Sequence, residues 1–516
     1  MATPSEKLAE SLERLRALQE AGIVAIRTSD ITRIHRERLL SNGFIKEVLL
    51  GWYIAVAHDE QAGDSTSWYS SFWDFCARYL QERYEDDYCI SAEQSLMLHA
   101  RNIAVPKQLI IRSTKGNNTA TPLLYGTSLF VMKSPLPDKA EIETYNGVRV
   151  VNLVSSLIHS TPTLFEREPV DTRTALMMLR DASELLAYLL EGGHTKIAGR
   201  LAGAYRNIGN DKIADDIIKT MKAAGYDVRE SDPFKETIDV KINPREHSPY
   251  VNRIKLMWEN MRKVVIGAFP KAPGIPNDIT IYLKQIEELY TTDAYHSLSI
   301  ERYRVTPDLI ERVRSGSWNA AENEEDLQHR NAMAARGYWQ AFNAVKNSIQ
   351  NIFKGENSGK VVDREHGDWY RELFAPSVAV GLIKASDLAG YRNSQVYIGQ
   401  SKHTPINKDG VRDVMPVLFE LLENEEEASV RAVLGHFIFV YIHPYMDGNG
   451  RMGRFLMNAM LSSGGYPWTV IPVEARAEYM AALESASVEQ NIEPFAFFLA
   501  DLVKASMDGK PVAKLS

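Results

Sequence analysis

Cysteine is almost missing from this chain. Only Cys76 and Cys89 occur, thirteen positions apart and without neighbouring metal ligands. That scarcity excludes a disulfide framework, and the two thiols read as inert groups of a reduced, cytoplasmic protein. Long apolar runs are missing too: no stretch of about 18 apolar residues occurs. The amino terminus, MATPSEKLAESLERLRALQE, is charged throughout and has no signal-peptide core. Neither a membrane span nor export by a standard signal is therefore expected. Excess positive charge is also absent. The net charge of −8 argues against broad nonspecific nucleic-acid binding and leaves room for a local basic face. No internal repeat or low-complexity tract occurs.

What remains is ordinary globular material, 45% hydrophobic and 24% charged over 516 residues, enough for roughly two to four domains with their own cores. The most informative stretch is His443-Pro-Tyr-Met-Asp-Gly-Asn-Gly-Arg-Met-Gly-Arg454. Before it, ASVRAVLGHFIFVYI (428–442) is apolar at helical spacing. After it, Phe455 to Leu461 is another apolar run of helix formers, so the polar cluster is expected to link two core helices. Gly448 and Gly450 bracket Asn449 and favour a tight turn whose amides lead into the second helix. Amides at a helix N-terminus attract phosphate. Arg451 and Arg454 share one face of a helix beginning near Gly450 and could reach one polyphosphate. Asp447 beside an anion is unfavourable unless its carboxylate holds a Mg²⁺ that bridges phosphate oxygens. His443, with Pro444 fixing the chain after it and an ordinary pKa near ~6.5, suits a general base that takes a proton from an incoming hydroxyl. Each residue alone reads as readily as a turn histidine or a solvated charge. The ordered cluster points to phosphate chemistry.

The cluster resembles the Fic motif, His-x-Phe-x-Asp/Glu-Gly-Asn-Gly-Arg-x-x-Arg. His443, Asp447, Gly448, Asn449, Gly450, Arg451 and Arg454 stand in register, and Tyr445 replaces Phe. The resemblance implies a mainly α fold, a helical domain with a β-hairpin flap. It implies transfer of AMP from ATP to a Tyr, Ser or Thr hydroxyl of a target protein. In that scheme His443 is the base, Asp447 holds Mg²⁺, and Gly448, Asn449, Gly450, Arg451 and Arg454 surround the phosphates. Upstream, YRNSQVYIGQSKHTP (391–405) runs through Val396, Tyr397 and Ile398 and turns at Gly399, which reads as a short strand or hairpin. By the resemblance this is the flap that lays the target peptide along its edge; an ordinary surface hairpin fits the pattern as well. His296-Ser297-Leu-Ser-Ile-Glu301-Arg302 resembles the family's inhibitory motif, Ser/Thr-x-x-x-Glu-Gly/Asn, with Arg302 departing from it. Glu301 paired with Arg454 would take the place of the ATP γ-phosphate, and Arg302 is expected to compete for Glu301. In some relatives this Glu also positions water to remove AMP, and others transfer different phosphate-containing groups.

The first third is organised differently. Glu6 to Glu20 reads as an amphipathic helix ending near Gly22. Ser29 or Asp30 is expected to cap a basic helix, ITRIHRERLLSN, ended by Gly43, and Phe44 to Ile54 reads as a strand pair turning near Gly51. This order, with Gly43-Phe-Ile and Gly51-Trp-Tyr, resembles the winged-helix module of AbiEi-type antitoxin regulators. It allows DNA contact through residues 28–54, using Arg33, His35, Arg36 and Arg38; a solvated face used for protein contacts fits equally.

Further on, Ser91-Ala-Glu-Gln94 reads as a capping box, 109–113 and 148–154 as strands, and 172–191 and 194–225 as helices. Gly199 and Gly203 suggest close helix packing in preference to a phosphate or DNA contact by Lys196, Arg200 and Arg206. Charges and prolines near 230–249 suggest a boundary. The expected domains are 1–57, winged-helix-like and α+β; 58–234, mixed α/β; and 235–516, the helical Fic domain with its inhibitory helix near 293–302. Phe269 to Pro276 reads as a loop, and Glu423 to Glu427 as charge favouring a helix N-terminus. His436 reads as a core histidine, and Tyr479 to Leu502 as amphipathic helix. Two functions compete: an adenylyltransferase autoinhibited by Glu301, and a DNA-binding regulator or antitoxin-like protein whose Fic domain modifies itself or senses nucleotide.

Overall fold

The computed structural model describes residues 3–57, 60, 63–235, 248–316 and 329–515. Most of the expected boundary near 230–249 lies outside them. The chain forms two compact units, Met1–Arg253 with Tyr397–Thr404, and Ile254–Val396 with Pro405–Ser516. Helices dominate, as expected. Among the described residues no helix is long and apolar enough to cross a membrane.

The first unit opens with α1 (Pro4–Glu20), started by a capping box between Thr3 and Glu6. There follow β1 (Ala25–Arg27), α2 (Arg33–Ser41), β2 (Ile45–Leu49) and β3 (Trp52–Ala55), with sheet order β1-β3-β2. Gly51 makes the β2–β3 turn at φ 81, and Leu15, Ile26, Leu39, Ile45 and Tyr53 form the core of this module. Two expectations change here. Thr32, not Ser29 or Asp30, precedes α2; Asp30 instead accepts from Arg27 N at 2.7 Å and pairs with Arg78. Of the four basic side chains, His35 bonds Ser11 Oγ at 2.9 Å and Arg38 donates to Lys7 O at 2.8 Å. Both are spent holding α2 against α1.

Next come α3 (Thr66–Tyr84), β4 (Cys89–Ile90), α4 (Ala92–His99), β5 (Gln108–Ser113), β6 (Ala120–Pro122), β7 (Ser128–Lys133), β8 (Ile142–Tyr145) and β9 (Val148–Val151). A sheet of order β4-β5-β7-β6 packs with α3 around Trp68, Phe72, Phe75 and Leu109. Half of the expected capping box forms. Ser91 Oγ accepts from Gln94 N at 3.4 Å, whereas the Gln94 side chain reaches Ile110 N and Gln108 O.

Helices α5 (Leu153–His159), α6 (Pro162–Arg167), α7 (Pro169–Met178), α8 (Ser183–Gly192), α9 (Thr195–Asn207) and α10 (Asp211–Ala223) complete the unit. The two long helices expected here are each broken, the second where Asn210 caps α10. A Cβ at Gly199 or Gly203 would collide with the carbonyls of Arg229 or Ser231. Those glycines therefore admit non-helical backbone where a helix was expected. Arg200 donates to Ile158 O, and Arg206 pairs with Asp211, Asp215 and Glu230.

The second unit comprises α11 (Pro249–Ala268) from Ile254 onward, α12 (Ile279–Ile300), α13 (Pro307–Ser315), α14 (His329–Phe353), α15 (Ser358–Ala379), α16 (Lys408–Asn424), α17 (Ala428–Ile442), α18 (Asn449–Ser463), α19 (Arg476–Val488) and α20 (Glu493–Met507). Every residue of α17 except Arg431 and Val440 is buried, the signature of a central core helix. Gly453 lets α18 lie close to it, since a Cβ there would sit 2.9 Å from Val440 Cγ1. The acidic run is not all solvated. Glu425 turns inward to pair with Arg262 at 2.7 Å. The single helix expected over 479–502 is two, parted by Gln490 at φ 55.

Candidate active site

The apolar helix α17 ends at Ile442, and His443 follows in the left-handed region at φ 56. Its Nδ1 lies 3.1 Å from Val440 O. Donation from Nδ1 to that carbonyl leaves the Nε2 lone pair free to accept a proton. Burial, reinforced by the nearby Arg392 charge, pushes the imidazole pKa down to about 4, so the ring is neutral at ordinary pH.

The loop is held by its own side chains. Tyr445 stacks on Tyr370 with centroids 3.8 Å apart and planes at 6°, so the hydroxyl that distinguishes it from Phe leaves the stacking intact. Asn449 Oδ1 accepts from Tyr445 N, and Nδ2 donates to Tyr445 O, both at 2.9 Å. The Asn449 side chain thus shapes the loop instead of facing phosphate, and only its backbone N–H remains a candidate. Gly448 sits at φ 82, where a Cβ would lie 2.7 Å from the Phe374 ring. Its amide donates to Asp447 Oδ1 at 2.6 Å, so in this conformation that donor is engaged by a carboxylate.

Both arginines are buried. Arg451 lies between the rings of Tyr303 and Phe374, 5.1 and 5.0 Å from their centroids; among the described residues its Nε has no hydrogen-bond partner, and its Nη2 has only the ion pair to Asp447 Oδ2 at 3.4 Å. Arg454 Nε donates to Ser297 Oγ at 2.8 Å, and Nη2 donates to Ser297 O at 3.0 Å and Glu301 Oε1 at 2.8 Å. Among the described residues its Nη1 has no hydrogen-bond partner. Buried guanidinium donors left unsatisfied are costly and fit phosphate oxygens. Glu301 lies over the first turn of α18, so close that a Cβ on Gly450 would collide with Oε1. Burial opposes its ionisation, but Arg454 and Arg451 outweigh that and hold the carboxyl below its ordinary range.

Arg302 follows Glu301 at φ 65, the region where glycine or asparagine costs least. It forms no ion pair with Glu301 among the described residues, contrary to the competition expected of it. Arg476 Nε instead braces the end of α12 by donating to Ile300 O at 2.8 Å. His436 is the expected core histidine, bonded to Tyr479 at 2.8 Å. Asp447, 65% exposed and 3.4 Å from Arg451 Nη2, is the one motif carboxylate available to a cation. No cluster of three or more acidic, His or Cys ligands occurs among the described residues. A single carboxylate completed by water and phosphate oxygens is the donor set Mg²⁺ accepts.

The expected strand at Val396, Tyr397 and Ile398 does not form. The chain does turn at Gly399, with Ser401 N donating to Ile398 O at 3.2 Å. Its arms are joined by a side chain, Gln395 Nε2 to Pro405 O at 2.9 Å. Within the first unit, Gln400 N donates to Thr66 Oγ1 and Val105 N to Lys402 O, both at 2.9 Å. Backbone groups that a hairpin ladder would use are thus committed elsewhere. The structure brings His443, Asp447, Gly448, Gly450, Arg451 and Arg454 together with Ser297 and Glu301. Tyr303, Phe374, Tyr370 and Arg392 were not anticipated. Only Arg392, inside the 391–405 stretch, had a sequence context that could have drawn attention.

Residues 367–461 match the Fic/DOC family, and this stretch is a Fic domain. The chain is 37% identical over 122 residues to Protein adenylyltransferase Fic of Drosophila virilis, covering 23% of this chain and 24% of that protein. It is 34% identical over 120 residues to Protein adenylyltransferase fic-1 of Caenorhabditis elegans, covering 22% and 23%. The chain thus spans less than a quarter of the length of the curated relatives it matches. A solved fragment of Fic-1 from C. elegans aligns with a TM-score of 0.37 at 18% identity, over 67% of this chain and 98% of that one.

Proposed function

We propose that this chain is a protein adenylyltransferase, held inactive by its own Glu301, that transfers AMP from ATP to a Tyr, Ser or Thr hydroxyl of a target protein in the cytoplasm. One observation carries the reading: Ser297 and Glu301 share the Arg454 guanidinium at 2.8 Å, over the helix N-terminus that follows His443. The carboxylate competes there for the charge that a terminal phosphate of ATP would need.

With Glu301 displaced, Arg451 and Arg454 neutralise the terminal phosphates, and the amides at the start of α18 hold the phosphates nearer the sugar. Asp447 would hold Mg²⁺, which when bound supplies positive charge to the triphosphate. His443 Nε2 takes the proton of the target hydroxyl as its oxygen attacks the α-phosphorus in line. The bond from that phosphorus to the bridging oxygen breaks, and pyrophosphate leaves. Val396, Tyr397 and Ile398 would present backbone to the target once the segment is released from its present partners.

Glu301→Gly protein tests this with ATP labelled at the α- or γ-phosphate and His443→Ala as control. Label from the α position alone, abolished by His443→Ala and weak without the Glu301 change, is expected. Label from γ alone sinks AMP transfer, and equal activity with and without Glu301 sinks the inhibition.

A second reading, that the first module contacts DNA, is favoured by its α1-β1-α2-β2-β3 order and its β1-β3-β2 sheet. Its footprint is limited to Arg33, itself paired with Glu37, and Arg36.

A further inference from the structure

We propose that Arg392 is a positioning residue that locks the catalytic base to the backbone on either side of the target-holding stretch, at Ser394 and Ile406; this rests on the adenylyltransferase reading above. Arg392 is 2% exposed, and no acidic side chain pairs with it among the described residues. A buried charge without a counter-ion is rare. Here backbone carbonyls take that role. Nε donates to His443 O at 2.7 Å, Nη1 to Ser394 O at 2.9 Å, and Nη2 to Ile406 O and, at 3.4 Å, to Ile442 O. The Arg392 backbone N–H adds a bond to Pro444 O at 2.9 Å.

These acceptors fall into two groups. Ile442, His443 and Pro444 are the last turn of α17 and the start of the catalytic loop, where the helix dipole presents negative charge. Ser394 lies near the start of the 391–405 segment, and Ile406 directly follows its end. A residue that merely capped α17 would need only the first group. The planar fork grips both, so the positions of the Ser394 and Ile406 carbonyls and the orientation of the His443 peptide cannot vary independently. His443 is held at φ 56, and rotating its carbonyl off Arg392 would swing the imidazole away from Val440 O. The fixed positive charge also disfavours protonation of that ring, which keeps the base free.

The test uses full-length Glu301→Gly protein with Arg392→Lys or Arg392→Met added. Lysine keeps the charge but cannot span both groups. We expect ATP affinity to hold while kcat falls about tenfold for lysine and about 100-fold for methionine, the scale of an ångström of misplacement. The KM for target should rise, and the acid limb of the pH profile should move up for methionine only. Folded variants with unchanged kcat and pH profile overturn the proposal. The Arg392 Nε–H in protein carrying only Glu301→Gly gives a second reading: slow solvent exchange is expected, and rapid exchange overturns the clamp even if both variants fail to fold. Because exchange is read without turnover, loss of the clamp and loss of the adenylyltransferase reading are told apart.

Discussion

Ser297 touches Arg454 through its hydroxyl and through its carbonyl, and only the first contact depends on the side chain. Ser297→Ala removes one hydrogen bond worth about 1 kcal/mol, so basal AMP transfer should rise about fivefold, well short of Glu301→Gly. Initial rates on the two variants decide it; no rise, or an equal one, contradicts the partition. For His443, the downward shift from 6.5 to about 4 means that transfer by Glu301→Gly should hold as pH falls through 6.5 and fail near the lower value. An acid limb centred at 6.5 would show a solvated base. The same depressed value makes the group's contribution to stability complete above 6.5 and lost as pH falls toward 4. Gly448 combines φ 82 with the adjacent Phe374 ring, so Gly448→Ala should cost about 1–3 kcal/mol, measurable as a lowered unfolding midpoint.

At the scale of elements, α12 ends by placing Glu301 and then forcing Arg302 to φ 65. Arg302→Gly removes a left-handed penalty of roughly 1 kcal/mol and should raise the denaturation midpoint and hold Glu301 more firmly. A lower midpoint would mean that the arginine side chain contributes a contact of its own. The legibility of elements followed their dependence on neighbours. α17 was readable over its whole length because it is apolar on every face. Residues 396–398 looked like a strand, but a strand exists only where a ladder partner does, and on the returning arm Gln400 N and Lys402 O are bonded to Thr66 and Val105. The breaks at Asn210 and Gln490 escaped notice because polar residues on helix surfaces look alike whether the helix continues or stops.

For the whole molecule, the net charge of −8 works against DNA, and α2 turns two of its four basic side chains, His35 and Arg38, toward α1. Any operator binding should therefore be shallow in salt: with Arg33 and Arg36 as the phosphate contacts, log K against log salt should slope by about −2. Replacing both with alanine should abolish it. A much steeper slope would place the DNA face elsewhere. The two compact units each carry their own buried cores, and every motif residue from His443 to Arg454 falls within the second.

The chemistry was legible in the sequence because the motif is local. A helix, a glycine-bracketed turn and a second helix carry His443, Asp447, Arg451 and Arg454, so their relative placement follows from backbone geometry over twelve residues. Tertiary structure decided what surrounds them. Glu301 meets Arg454 across 153 positions of sequence, Arg451 lies between Tyr303 and Phe374, and Arg392 grips two distant backbones. Such contacts depend on which apolar faces pack together, and periodicity along the chain shows that a face exists without showing which other face it meets.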